Sequence, residues 1–203
     1  MEYLSDYNEK FTELEEIVKD VNRKILADSS EEFFINNLNF LTKSFLVTIC
    51  SYLESFIKDI SYSTIQIYND RLNGLGIPTN LTKWSFNLKS KTDNKQLDFM
   101  ELTFSIKKKD LDEHISARPY RTVNLFKRIG IDLENNEQFN DLKTVINIIV
   151  IKRNNIIHYN DNASDITLSD ILDYIKTVQK YMVIIDSEIK LTLENYSYQH
   201  KHS

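Results

Sequence analysis

Apolar residues recur every three or four positions through most of this chain, a spacing that predicts helices rather than strands. Over residues 5–26, Tyr7, Phe11, Leu14, Ile17, Val18, Val21 and Ile25 fall on one apolar face. Ser29-Ser30-Glu31-Glu32 then has the form of a capping box, with Ser29 as N-cap and Glu32 three positions later. A long helix is predicted behind it, over 30–68, through Phe34, Leu38, Leu41, Phe45, Ile49, Leu53, Phe56, Ile57 and Ile60. Val47 and Tyr52 add apolar groups on its other sides, the pattern of a central helix. Gly, Pro and Asn crowd residues 71–80 and end it. Regularity is then lost between 81 and 116. Trp84, Phe86 and Leu88 alternate as in a short strand, while 97–106 suits either type.

Order returns with a short helix over 121–129 closed by Gly130, and 132–137 reads as a polar connection. A helix over 137–159 follows, with Leu142, Val145, Ile146 and Ile149 at helical spacing. After a turn at 160–165, Thr167 and Asp170 cap a last helix through Ile171, Tyr174, Ile175, Val178, Tyr181, Met182 and Ile185. Residues 194–203, which include His200 and His202, are expected to form a disordered tail. The pattern is all-α, one domain over 1–193 with a less regular insertion around 81–116.

Composition agrees with that reading. The 203 residues include only three Gly and two Pro, against 41% hydrophobic and 27% charged residues. The one cysteine, Cys50, lies in an apolar stretch and cannot close an internal disulfide, so a reducing, cytoplasmic setting is expected. No basic leader precedes an apolar run at the N-terminus, and no apolar run approaches the roughly 18 residues that span a bilayer. A membrane partner is not expected. The formal net charge of −5 argues against nonspecific wrapping of nucleic acid. Its distribution is uneven, however. Acidic residues crowd the first 32 positions, and basic ones gather at Lys107, Lys108, Lys109, Arg118, Arg121, Lys127 and Arg128 before Lys152 and Arg153. Such a gradient permits a local phosphate-binding face, of which Arg121 and Lys152 are the expected RNA contacts.

The sharpest chemical signal is at 151–160, Ile-Lys-Arg-Asn-Asn-Ile-Ile-His-Tyr-Asn. Four residues beyond Ile149 the apolar stripe meets Arg153. A guanidinium cannot shed its charge, and burying one alone costs several kcal/mol, so Arg153 needs a partner or a purpose. His158 follows five positions later, about 140° around the helix, while Asn154 and His158 share a face. A histidine moves protons near neutral pH and an arginine fork matches phosphate oxygens. Together they suit cleavage of an RNA phosphodiester without a metal. The bland alternative is that both residues cap the carbonyls at a helix C-terminus. Elsewhere, Asp110, Asp112, Glu113 and His114 match no standard metal-ligand spacing, Cys50 reads as a buried thiol, and three glycines build no phosphate-cradling loop. No metal or cofactor is expected.

Arg153-Asn154-Asn155-Ile156-Ile157-His158 resembles the signature of the HEPN superfamily, the higher eukaryotes and prokaryotes nucleotide-binding domains. Ser51-Tyr52-Leu53-Glu54-Ser55-Phe56-Ile57 in the long early helix, and 121–132 closing on Gly-Ile-Asp, are similar to the stand-alone prokaryotic MAE-type and RiboL-PSP-type groups. The resemblance spans about 33–188. It implies an antiparallel helical bundle that dimerises, joining two Arg-x(4)-His motifs in one cleft. Active members are metal-independent endoribonucleases, often toxins or phage-defence effectors with an antitoxin or regulator. Others only bind RNA, nucleotides or partner proteins. Carried over, His158 is the general acid/base, Arg153 the phosphate contact, Asn154 the polar neighbour, and Glu54 an acidic residue facing the site. HEPN toxins paired with nucleotidyltransferase antitoxins tend to carry Tyr two positions after the His. Asn160 stands there, so that pairing is not implied.

Overall fold

The computed structural model describes residues 2–27, 32–86, 100–159 and 163–199. Among them are seven α-helices: α1 (Glu2–Leu26), α2 (Glu32–Asn36), α3 (Leu38–Asn73), α4 (Thr79–Ser85), α5 (Pro119–Arg128), α6 (Glu137–Tyr159) and α7 (Leu168–Gln199). Single 3-10 turns form at Lys108–Leu111, Leu133–Asn135 and Ala163–Asp165. No strand forms among the described residues. Pro78 and Glu101 make an isolated antiparallel bridge.

The four long helices supply the core. α1 packs on α3 and α7, and α6 also packs on both. α3 touches α7 as well, so it is enclosed on three sides, as apolar residues around its circumference require. Phe11, Leu46, Phe56, Ile57, Ile60, Ile146, Ile175, Tyr181 and Ile185 are wholly buried. Each large side chain so buried contributes about 1.5–3 kcal/mol of transfer free energy. Tyr7 meets Phe56 edge-on at 5.8 Å, and Phe139 stacks on Tyr181 at 4.9 Å. By length and composition α3 would suffice to cross a membrane, but here it is the core helix of the bundle.

Several elements depart from expectation. The early helix is interrupted at Asn37, where the backbone departs from helical values (φ −108, ψ 8) and the side-chain amide joins the residue's own N–H on Phe33 O, at 2.8 and 3.1 Å. The predicted Ser29 cap lies outside the described residues. Trp84 and Phe86 do not form a strand. Thr79–Ser85 coils into α4 instead, with Phe86 N–H closing its last turn on Thr82 O at 3.1 Å. Leu88 lies outside the described residues. Residues 100–107 run extended, pinned where Leu102 N–H donates to Ile77 O and where the Asn69 amide brackets the Phe104 peptide. Ile17 and Val145, expected on buried faces, are exposed because they sit at the edges of their apolar arcs. α7 continues past Leu193 to Gln199, so the first part of the expected tail is helical.

Other signals appear as expected. α6 spans Glu137–Tyr159, and Gly130 ends the α5 segment with φ 83. Thr167 and Asp170 cap α7 reciprocally: Asp170 N–H donates to Thr167 Oγ1 at 3.1 Å, and Thr167 N–H to Asp170 Oδ2 at 2.8 Å.

Candidate functional site around Arg153 and His158

α6 buries Phe139, Ile146, Ile149 and Val150 against the bundle. Arg153 continues that inward stripe, and α3 supplies its counter-charge. Arg153 Nη2 lies 2.5 Å from Glu54 Oε1, and Nη1 donates to Asn154 Oδ1 at 3.1 Å. The Arg153 side chain keeps 16% of its accessible surface and Glu54 keeps 31%, so the pair stands at the edge of the core rather than inside it. The same Glu54 oxygen accepts the Ala117 N–H at 3.2 Å. One carboxylate oxygen thus joins α3, α6 and the loop leading into α5.

Cys50 lies one turn before Glu54 on α3, and its thiol also faces the guanidinium. Burial pushes that thiol up to about 11, even though the Arg153 charge pulls the other way. A thiol so placed is neutral and packs as a small apolar group. Its contact with Arg153 was not foreseen, although Cys50 and Glu54 stand four apart on one helix.

His158 occupies the last turn of α6 and is exposed. With the Arg about 140° away around the axis, the bundle holds the guanidinium on the inward side while the imidazole faces outward. The outward side also carries Ile148 and Ile151, each 46% exposed. The two expected RNA-contacting cations have protein partners: Lys152 pairs with Asp165, and Arg121 donates to the Glu113 carbonyl. His114 meets Arg128 at 3.3 Å, and no cluster of metal-ligating residues forms among the described residues. Cavities of about 660 and 720 Å³ open elsewhere, and neither is lined by Glu54, Arg153 or His158.

The family profile described as RiboL-PSP-HEPN matches residues 5–191, nearly the whole chain and every element of this site. The chain belongs to the RiboL-PSP-HEPN family. No curated protein matches it, and no solved structure does. For a RiboL-PSP-HEPN domain the helical architecture is the one expected, and membership points to a ribonuclease-like or nucleotide-binding role. In this RiboL-PSP-HEPN chain Arg153 keeps 16% of its side-chain surface, and any phosphate reaching it would compete with Glu54 for its N–H groups.

Proposed function

We propose that the chain is an endoribonuclease that acts without a metal ion and forms a homodimer with a composite active site. One observation carries the reading: a charge-paired but accessible arginine and an exposed histidine share the last turns of one helix, on opposite faces. A second copy placed over Ile148 and Ile151 would cover the exposed apolar stripe of α6. It would also bring its own His158 toward the first, at the end of α6 whose last turns carry Arg153 on their other side.

In such a cleft one His158, neutral, takes the proton of a ribose 2′-hydroxyl. The 2′-oxygen forms a bond to phosphorus, and the bond to the 5′-oxygen breaks. The other His158, protonated, gives its proton to the leaving 5′-oxygen. Arg153 stabilises the charge on the phosphoryl oxygens. The products are a 2′,3′-cyclic phosphate and a 5′-hydroxyl. A toxin or phage-defence role, held in check by an antitoxin or regulator in the cytoplasm, fits this activity.

The test incubates labelled RNA with the protein in EDTA beside Arg153→Ala and His158→Ala. Cleavage is expected from the wild type alone, with cyclic-phosphate ends. Cleavage that depends on added metal, or that persists undiminished in both variants, overturns the proposal. The Arg153–Glu54 pair also favours a second reading, a non-catalytic domain that binds RNA, a nucleotide or a protein. RNA binding without cleavage, unchanged by His158→Ala, would establish that reading instead. Sedimentation of Ile151→Glu tests the assembly, since a charge on the stripe should yield monomers.

A further inference from the structure

The loop that enters α5 is fastened at three points. Glu54 accepts the Ala117 N–H at 3.2 Å, Ser116 Oγ accepts the Arg118 N–H at 3.2 Å, and Thr122 Oγ1 donates to Ser116 O at 3.3 Å. Because the Glu54 oxygen in this set also holds Arg153, the Ala117 peptide sits beside the guanidinium. Arg118 comes next in the chain. It is exposed, and no carboxylate among the described residues pairs with it, in contrast to Lys152 and Lys108. Two residues further on, Tyr120 is 57% exposed. A tethered peptide therefore presents a guanidinium and an aromatic ring at the border of the Arg153 site.

We infer that Arg118 and Tyr120 form a nucleotide subsite adjoining Arg153, Arg118 holding a strand phosphate and Tyr120 stacking on a base. This rests on the RNA reading above and names residues that bind the strand outside the reacting bond. The pairing suits single-stranded RNA, because an unpaired base offers its face to the ring while the backbone offers an anion at every nucleotide. The fixed loop keeps the backbone that carries both groups in place before the strand arrives, which lowers the ordering cost of binding.

The experiment measures fluorescence anisotropy of a short labelled single-stranded RNA with the full chain carrying His158→Ala, across a salt series. Adding Arg118→Ala should weaken binding about tenfold and lower the salt slope by about 0.7. Arg118→Lys should keep the slope. Tyr120→Ala should weaken binding about tenfold, and Tyr120→Phe should not. Lys176→Ala, on the exposed side of α7, serves as the control, and thermal melts verify that each variant is folded. In the cleaving protein, Arg118→Ala should raise KM more than it lowers kcat. If folded Arg118→Ala and Tyr120→Ala bind as the parent does, the subsite is overturned, while the ribonuclease reading survives in the cleavage assay. If the parent binds no RNA and the wild type cleaves none, both fall.

Discussion

Glu54→Gln tests the ion pair that organises the site. The substitution keeps side-chain shape and an oxygen able to accept from Ala117, so it removes little but the charge. Arg153 would then hold a positive charge at 16% exposure without its carboxylate. Exposed pairs contribute roughly 0.2–1 kcal/mol, whereas stripping a partner from a buried one costs about 3–5 kcal/mol. This pair lies between those limits, so a loss of about 2 kcal/mol is expected. For a domain of this size that lowers Tm by roughly 4–8 °C. Urea titration of Glu54→Ala, Arg153→Ala and the double variant gives the coupling directly, expected at about 1–2 kcal/mol. Additivity within about 0.3 kcal/mol would refute the reasoning, since uncoupled residues behave that way. A stabilised Glu54→Gln would do so as well.

Three further outcomes are expected of the fold. Thr167→Ala removes half of the reciprocal cap on α7 and should cost about 1 kcal/mol by denaturant titration, whereas Thr167→Ser should cost far less. Cys50 should resist alkylation at neutral pH in the folded chain and react once urea unfolds it, because burial holds its thiol at about 11; fast labelling of native protein would contradict its placement. Stability should fall at both pH extremes. Tyr7 is pushed up to about 12 by burial first and by Asp59 second, so its contribution is intact below about 10 and lost as pH climbs through 12. Glu134 is held down at about 2 by bonds from Lys127 and Lys143, so its contribution is present above about 4.5 and fades as pH falls toward 2. Tm measured across pH should therefore plateau between roughly 5 and 9, and a maximum outside that window would contradict these assignments.

Much of the architecture could be read from local pattern. The bounds of α6 and the cap of α7 are written in a few neighbouring residues: an apolar period of three to four, and a Thr and Asp three apart. The break at Asn37 is different, because an asparagine in a helix is nearly neutral and only its bond to Phe33 reveals the interruption. The insertion was unreadable for a related reason. Its extended part is held by the side chain of Asn69 and the peptide of Ile77, both far away in sequence. At the site, the periodicity placed Arg153 where a hydrophobe belonged, and so required a partner. That Glu54 occupies this place, 99 residues earlier, and that Ala117 shares the same oxygen, depends on how α3, α6 and the α5 loop meet in space. Ile17 and Val145 show the limit of a helical wheel, which cannot say how wide an arc the neighbouring helices will cover.

The outward turn of His158 bears on dosage. In the proposed dimer, a cleft that takes its arginine from one molecule and a histidine from another would have no output as a lone copy. At scarce copy number the rate of such an enzyme climbs with the square of its abundance. On that proposal, a modest rise in synthesis, or release from a sequestering protein, would turn silence into abrupt damage without any change in the chemistry of a single motif.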